Sequence, residues 1–261
     1  MAVAAHPDDI EFVMGGTMIL LSKAGYELHY MNIGNGSCGS ATMDAQQIVA
    51  VRAVEARSAA AALGATFHDP LVPDLEILYE QPLIRKLCAA MREVKPEILL
   101  LPSPQDYMED HSTSSRLGVT AAFCRTMRNY ATDPPTPPIS GDMCVYHAMP
   151  WGLRDQLRHP IEPDFFVDIA SVIEKKLEVL ACHASQRQWL DTSQGVDNYL
   201  KTMREMSAEV GRMSGRFEYA EGWRVHSHLG FGPEEFDPLR TALADHISSN
   251  RKGDQSRKAE R

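Results

Sequence analysis

The chain has few cysteines, and none of them is placed as a paired metal ligand or an obvious disulfide partner. Only five occur in 261 residues, and they are widely separated: Cys38, Cys88, Cys124, Cys144 and Cys182. An odd number without a Cys-x-x-Cys pair argues against a disulfide framework and against a thiolate zinc site. The simplest expectation is a reducing, cytoplasmic environment, in which any bound metal uses nitrogen and oxygen ligands.

Long apolar runs and an excess of positive charge are also missing. No apolar segment reaches the roughly 18 residues of a membrane-spanning helix, and the start Met1–Ala5 lacks the basic region of a signal peptide. The 35 acidic side chains outnumber the 26 of lysine and arginine, which gives a net charge of -9. Because phosphate binding needs clustered lysine and arginine, we expect neither a nucleic acid nor a membrane as partner.

What is present is an alternation of short apolar strands and longer helical segments, without an internal repeat. This order predicts an α/β fold, a single domain in which helices cover both faces of a mostly parallel sheet. The expected strands are Met1–Ala5, Glu27–Ile33, Thr66–His68, Glu97–Leu101, Cys144–Ala148 and Phe165–Val167. The expected helices are Gly16–Lys23, Ala45–Leu63, Pro82–Val94, Ser112–Asn129, Ile169–Ala184 and Val196–Val210.

The end of the chain differs in composition from the rest. The segment Ser248–Arg261 is polar, carries charges of both signs and has no aromatic side chain. We therefore expect one domain over residues 1–245, followed by a disordered tail over residues 246–261. Within the domain, Trp151–Pro163 and Gln188–Asn198 are expected to contact either the substrate or another subunit, which leaves the question of a homo-oligomer open.

The segment with the clearest chemical content is His6-Pro7-Asp8-Asp9, which directly follows the first expected strand. A turn at this point can direct His6 and one aspartate toward a single divalent cation and leave the other aspartate free to move protons. Taken alone, the same residues also fit a simple capping turn, since aspartate commonly stabilises turns through its side chain.

A second polar segment, Asp106–His111, makes the metal interpretation stronger. It follows the expected strand Glu97–Leu101, and parallel sheets bind ligands beyond the carboxyl ends of their strands. Both segments therefore fall on the same rim of the sheet. Two histidines and one aspartate suit a catalytic zinc ion that keeps a fourth position for water. Asp110-His111 alone fits the start of a helix, whereas the two segments together favour a metal site.

These residues resemble the signatures of the PIG-L/LmbE-like family of N-acetylglucosaminyl deacetylases. The first signature corresponds to Ala5–Asp9, followed by Glu11 and Gly15-Gly16-Thr17, and the second to Asp110-His111. Further matches up to about residue 230 are Arg52-x-x-Glu55, Leu63-Gly64, Asp74 and His183-x-Ser185-Gln186. The resemblance implies a Rossmann-like fold, a bound Zn²⁺ or another divalent cation such as Fe²⁺, and hydrolysis of an acetamide on an amino sugar.

The resemblance also implies roles for single residues of the two segments. His6, Asp9 and His111 are the implied metal ligands, and Asp8 is the implied general base that deprotonates the attacking water. Asp110 is expected to support catalysis by orienting a histidine rather than by binding the metal itself.

Two further positions match residues that hold the sugar in the family. These are Arg52 and Asp74, for which plainer roles are an i,i+3 helix pair with Glu55 and a turn, respectively. The loop Gly34–Ser40 is rich in glycine but lacks a nucleotide-binding signature, so we expect it to form a flexible wall of the active site. His183 is interpreted as a packed residue or part of the pocket wall.

One position departs from the family pattern. Many members have His-x-Asp-His, whereas Met108 occupies the first of these positions. Methionine can neither donate a proton nor stabilise an oxyanion. His226 and His228 share one face of an extended segment and are candidates to replace the histidine, with a packed or surface histidine as the alternative for each. We favour His228 as the catalytic residue, and Tyr107 is a weaker candidate.

The sequence therefore predicts a metal-dependent deacetylase that releases acetate and a free amine from an N-acetylglucosamine-type amino sugar or its conjugate. One alternative is the same chemistry on a non-sugar N-acyl substrate, which is reasonable given three tryptophans in the second half, Trp151, Trp189 and Trp223. The other alternative is a non-catalytic α/β protein that binds a nucleotide or a sugar.

Overall fold

An eight-stranded sheet forms the centre of the computed structural model, which describes residues 1–186 and 199–250. In chain order the strands are β1 (Ala2–Ala4), β2 (Leu28–Asn32), β3 (Ala65–His68), β4 (Ile98–Leu101), β5 (Cys144–Ala148), β6 (Phe165–Asp168), β7 (Ala220–Val225) and β8 (Ile247–Ser249). Their spatial order is β3-β2-β1-β4-β5-β7-β6-β8. The first five run parallel, and the last three continue the sheet through antiparallel pairs. The predicted α/β fold with a mostly parallel sheet is confirmed.

Helices cover both faces of this sheet. They are α1 (Asp9–Val13), α2 (Gly15–Lys23), α3 (Ala45–Leu63), α4 (Gln81–Val94), α5 (Glu109–Cys124), α6 (Ile173–Leu180), α7 (Tyr199–Ser214) and α8 (Pro238–Ala242). Side chains of a strand alternate between its two faces. In β1, accordingly, Ala2 and Ala4 join the apolar cluster beneath α2, α3 and α6, whereas Val3 joins the cluster beneath α4 and α5. Among the described residues, no helix combines the length and the apolar character that crossing a bilayer requires.

The predicted bounds of helix α3, Ala45–Leu63, are confirmed, whereas α1 was not predicted and the helix expected at Ser112–Asn129 is Glu109–Cys124. The side chain of Asp44 accepts a hydrogen bond from the Gln47 amide while Gln47 returns one to Asp44, which forms a capping box at the helix start. Gly64 ends the helix at φ 70°, a left-handed conformation that glycine adopts without strain. The buried face of the helix is formed mainly by small apolar residues and also contains Arg52, which is 2% exposed.

The end of the described chain differs from the expectation. Strand β8 pairs antiparallel with β6, so the prediction of a disordered tail beginning at residue 246 is wrong up to Asn250. The reason is that β8 satisfies the backbone groups of an otherwise open sheet edge, which does not depend on apolar side chains. Residues 251–261 of the predicted tail and the whole predicted insertion Gln188–Asn198 lie outside the described residues.

Candidate metal centre

Three side chains that could bind a metal ion meet at the carboxyl rim of the parallel strands. His6 follows β1, Asp9 begins α1, and His111 lies in the first turn of α5, which follows β4. One ligand atom from each of the three lies within 4.8 Å of the others. β1 and β4 are neighbouring parallel strands, and this is why two segments about 100 positions apart in sequence reach one point. The predicted ligand set is therefore brought together.

Each of the two histidines is held by a carboxylate on its other ring nitrogen. Asp110 Oδ2 lies 2.9 Å from His6 Nε2, and Asp106 Oδ1 lies 3.0 Å from His111 Nδ1. The remaining nitrogens, His6 Nδ1 and His111 Nε2, lie 3.6 and 3.4 Å from the carboxylate of Asp9. Carboxylates behind ligating histidines fix the tautomer and the direction of the ring. The arrangement agrees with the orienting role predicted for Asp110, whereas the part of Asp106 was missed, although it opens the same segment.

The carboxylates of this cluster stabilise the protonated forms of its two histidines. Burial alone would lower the pKa of His6, but the hydrogen bond with Asp110 and the proximity of Asp9 outweigh it and raise that pKa to about 9. Burial likewise opposes the protonation of His111, yet Asp9 and Asp106 raise its pKa well above the usual value. Both shifts favour the protonated imidazoles, so a cation that binds there must compete with protons. Two nitrogens, one carboxylate oxygen and an open side are a donor set that fits a catalytic zinc ion.

Asp8 lies beside the three proposed ligands and has hydrogen-bond partners of its own. Its backbone has φ 106°, a left-handed conformation that is strained for a residue with a side chain. The hydroxyl of Tyr199 donates a 2.7 Å hydrogen bond to Asp8 Oδ2, and Arg52 Nη2 lies 3.4 Å from Asp8 Oδ1. Burial is the largest influence on this carboxyl and raises its pKa to about 6, although Arg52 opposes the shift. Asp8 is thus a buried carboxylate with an elevated pKa beside the metal cluster, as a general base requires.

A cavity of about 250 Å³ opens next to the cluster and Asp8. Its wall includes Trp151, Tyr107 and Met108 as well as Cys38 and Gly39 of the predicted loop. The loop Gly34–Ser40 therefore does contribute a wall of the site, and Trp151 of the predicted insertion reaches it. Of the other two tryptophans, Trp223 is fully buried and donates its indole N–H to Thr17, while Trp189 lies outside the described residues.

Arg52 is directed into this cavity rather than along its own helix. Its Nη2 donates to the carbonyl oxygen of Pro7 and approaches Asp8, whereas the carboxylate of Glu55 accepts hydrogen bonds from the amide and hydroxyl of Ser185. The alternative of an Arg52–Glu55 helix pair is therefore not what the structure shows. Arg52 lies at the cavity, where the resemblance implied that it would be.

Asp74 holds the loop wall in place. Its Oδ1 accepts a 2.7 Å hydrogen bond from the Gly36 amide, and its Oδ2 accepts a 3.0 Å bond from the Cys38 amide. The amide of Asp74 in turn donates to the hydroxyl of Ser37. Asp74 lines the cavity, but both of its oxygens are engaged by the loop. Direct contact between Asp74 and a substrate stays a prediction.

His228 is not brought to the cluster. β7 runs antiparallel to β5, so the chain leaves the sheet after Val225 at the rim opposite the candidate metal centre. His228 consequently lines a separate cavity of about 770 Å³ near Met143 and Asp237. His226 contacts His147, with 3.0 Å between His226 Nδ1 and His147 Nε2. The assignment of His228 as a catalytic residue is corrected on this ground, since the direction of a strand is not visible in its sequence.

His183 is a packed residue, as one of its two interpretations stated. Its Nε2 lies 3.0 Å from Oε1 of Glu11, and both side chains are buried. The hydroxyl of Tyr30 donates to the other oxygen of Glu11. Burial would lower the pKa of His183, but the neighbouring Glu11 raises it. Glu11 and His183 thus form a buried charged pair behind Asp8 rather than a part of the cavity wall.

Together these features define a class of protein: a single α/β domain with a candidate mononuclear metal centre at the carboxyl rim and a buried carboxylate beside it. Residues 1–122 match the PIG-L family model, described as GlcNAc-PI de-N-acetylase. The resemblance predicted from the two segments is confirmed for that part of the chain, which contains both of them.

Three relatives extend the similarity beyond residue 122. A diacetylchitobiose deacetylase of Thermococcus kodakarensis is 27% identical over 230 residues, covering 86% of this chain and 81% of that protein. A 4-oxalmesaconate hydratase of Pseudomonas putida is 28% identical over 194 residues, covering 71% and 73%. The crystal structure of a 4-carboxy-2-hydroxymuconate hydratase of Pseudomonas putida matches with a TM-score of 0.71 and 25% identity, covering 87% and 95%.

Proposed function

We propose that this protein is a metal-dependent deacetylase that hydrolyses the acetamide of an N-acetylglucosamine-type amino sugar or its conjugate. The main support is the juxtaposition of His6, Asp9 and His111 with the buried Asp8 inside the region that matches the PIG-L model. The similarity to a diacetylchitobiose deacetylase along most of the chain supports the same reaction class. We also propose a cytoplasmic location, because the five cysteines are all unpaired.

The proposed ligands are His6, Asp9 and His111, with Zn²⁺ as the proposed cation and another divalent ion such as Fe²⁺ as the alternative. A cation bound there supplies Lewis acidity, which polarises a carbonyl group and makes water more acidic. The rest of the site serves to orient this set: Asp110 and Asp106 hold the two imidazoles from behind.

Proton movement is assigned to Asp8. As a carboxylate it accepts a proton from the water that attacks the acetamide carbon, and it then carries that proton to the nitrogen. The C–N bond breaks, acetate leaves, and the amine departs with the transferred proton. A pKa near 6 leaves Asp8 ionised at neutral pH yet close enough to neutrality to return the proton. Tyr107, which also lines the cavity, is the proposed replacement for the hydrogen-bond donor lost at Met108.

The polarity of the cavity favours a substrate with hydroxyl groups. Two buried atoms of residues that line it have no hydrogen-bond partner within the described part of the chain, the donor Arg52 Nε and the acceptor Gln186 Oε1. The backbone of Gly39 packs closely against both residues, because a Cβ there would clash with Arg52 Nη1 at 2.6 Å and with Gln186 Oε1 at 2.9 Å. Leaving such groups unpaired costs about 1 to 3 kcal/mol each. A hydroxyl group, which both accepts and donates, satisfies a neighbouring donor and acceptor at once.

A second candidate function is the addition of water to a carbon–carbon double bond of a carboxylated substrate. The similarity to a Pseudomonas putida hydratase, at 28% identity to the protein sequence and 25% to a solved structure, favours it, and Asp8 would again accept the proton from water. In this reaction the proposed partner of Arg52 is a carboxylate, which cannot donate a hydrogen bond to Gln186 Oε1. The unpaired acceptor is therefore the observation that places the deacetylase first.

A substrate panel tests the proposal. The metal-loaded protein is incubated with N-acetylglucosamine, its disaccharide, a non-sugar N-acetyl amine, a longer N-acyl sugar and an unsaturated dicarboxylate. We expect release of acetate from the acetylated sugars. Hydrolysis of the non-sugar amine alone would shift the proposal to the N-acyl alternative. Hydration of the dicarboxylate without acetate release would replace it by the hydratase.

A charge variant sharpens this choice. Gln186→Glu keeps a hydrogen-bond acceptor and adds a negative charge next to Arg52. For a hydroxylated substrate we expect KM to change less than about threefold, because the acceptor is retained. For a carboxylated substrate the added charge repels the ligand, and KM should rise tenfold or more. Gln186→Leu is the matched control, since it removes the acceptor and should weaken the binding of the hydroxylated substrate only.

A further inference from the structure

We infer that Tyr199 is a positioning residue that fixes Asp8 through its hydroxyl. The inference rests on the proposed role of Asp8 as general base, but not on the choice between hydrolysis and hydration, because both reactions need a base for water. Tyr199 is the first residue of α7 and lies outside the region that matches the PIG-L model. None of the sequence motifs includes it.

The contact is short, buried and directional. Tyr199 is 1% exposed, Asp8 is 8% exposed, and 2.7 Å separates the phenolic oxygen from Asp8 Oδ2. A phenol is a hydrogen-bond donor at neutral pH, so Tyr199 donates and the carboxylate accepts. Hydrogen bonds to ionised groups are shorter and stronger than those between neutral groups. Oδ2 is thereby engaged at 2.7 Å, whereas Oδ1 has the longer 3.4 Å contact with Arg52 Nη2 and is the oxygen to which we assign the proton.

The ring of Tyr199 is itself held in position. It packs against Phe12 with 5.6 Å between ring centroids, and Phe12 packs against Trp151 of the cavity wall at 4.1 Å. This aromatic row connects α7 with α1, the helix that begins directly after Asp8. A phenol fixed by such packing constrains the side-chain torsions of Asp8, while the left-handed backbone at φ 106° constrains the main chain. Both constraints act on the direction in which Oδ1 points.

The alternative is that Tyr199 only fills space next to Phe12. Tyr199→Phe separates the two roles, because it removes the hydroxyl and keeps the ring. If the hydroxyl positions Asp8, kcat should fall about 10- to 100-fold, the loss typical of a misplaced catalytic group, and KM should change less than about threefold. The metal content should stay at the wild-type level, because no proposed ligand is touched.

Tyr146→Phe is the matched control. Tyr146 is also fully buried, and its hydroxyl donates to Asp237 Oδ1 at the same distance of 2.7 Å, but in the region of the separate cavity. Both variants lose one phenol–carboxylate hydrogen bond, and Tyr146→Phe also removes the acceptor of the Leu239 amide. We expect only Tyr199→Phe to lower kcat. Equal effects of the two variants on kcat would indicate a general structural effect and overturn the inference.

A double-mutant cycle with Asp8→Ala provides the decisive measurement. If Tyr199 acts through Asp8, Tyr199→Phe should lower kcat further by less than about twofold once Asp8 is absent. If the fold losses in kcat of the two single variants multiply in the double variant, Tyr199 acts independently of Asp8. The cycle uses whichever of the two reactions the wild-type protein catalyses.

The same double-mutant cycle can be measured by denaturant unfolding of the metal-free proteins, which requires no catalytic activity. A direct hydrogen bond predicts that the shifts of the unfolding midpoint caused by Asp8→Ala and Tyr199→Phe are not additive, whereas additive shifts would overturn the inference. If the wild-type protein catalyses neither reaction, the proposed function fails, and this unfolding cycle alone decides whether the Tyr199–Asp8 contact exists.

Discussion

The two parts of the chain contribute to the candidate site in different ways. The amino-terminal part supplies every proposed metal ligand and the proposed base from segments that directly follow parallel strands. The carboxyl-terminal part supplies groups that surround them, namely Gln186, from a short segment that matches the family, and Tyr199, from a helix that no motif marks. The comparison shows that the two kinds of residue are encoded differently in the sequence. The proposed reactive residues follow strand ends, whereas the residues that surround them come from any element that packs against those ends.

The largest expected effect tests most directly whether the amino-terminal part supplies the metal ligands. His111→Ala should empty the metal site and lower activity at least about 1000-fold, because only one imidazole and one carboxylate remain as ligands. His228→Ala is the contrasting control and should leave the metal content unchanged, since His228 faces the opposite rim. Metal analysis of the purified variants measures both. Full metal occupancy in His111→Ala, or loss of metal in His228→Ala, would reverse the assignment.

Asp8→Ala should have the next largest effect. The loss of a general base is expected to lower kcat about 100- to 10,000-fold while the metal content stays near that of the wild type. Steady-state kinetics and metal analysis are made on the same preparation. A variant without metal would show that the roles of Asp8 and Asp9 are interchanged.

Removal of the carboxylates behind the histidines should have a smaller effect. Asp106→Ala and Asp110→Ala each leave the ligand set intact but free one imidazole to rotate, so metal affinity should fall about 10- to 100-fold. Competition with a chelator measures the affinity. Wild-type affinity in both variants would contradict the orienting role.

The smallest expected effect concerns the stability of the metal-free protein. His6 binds its proton more tightly in the folded state, where its pKa is about 9, than in the unfolded chain, where it is about 6.5. Its contribution is therefore fully present below pH 6.5 and is lost as the pH rises to about 9, by up to roughly 3 kcal/mol. Denaturant unfolding between these pH values should show the decline, and His6→Gln should reduce it. An equal decline in the variant would assign the effect to other groups.

Much of the fold could be predicted from local patterns. The end of α3 followed from Gly64, and β4 and β5 followed from short apolar runs. The three proposed ligands could be placed together because carboxyl ends of neighbouring parallel strands share a rim. The same reasoning could have identified Asp106, since it opens the second polar segment and lies five positions before His111.

The sequence by itself determined that His6, Asp9 and His111 lie at one rim, because each follows a strand and parallel order makes those ends coincide. Only the tertiary structure decided that β7 runs antiparallel, which carries His228 to the opposite rim, and that Tyr199 reaches Asp8 across 191 positions. Spacing along the chain specifies local elements, whereas strand direction and helix docking result from burying the whole core. Contacts that depend on strand direction and helix docking leave no periodic pattern in the sequence of the residues that make them.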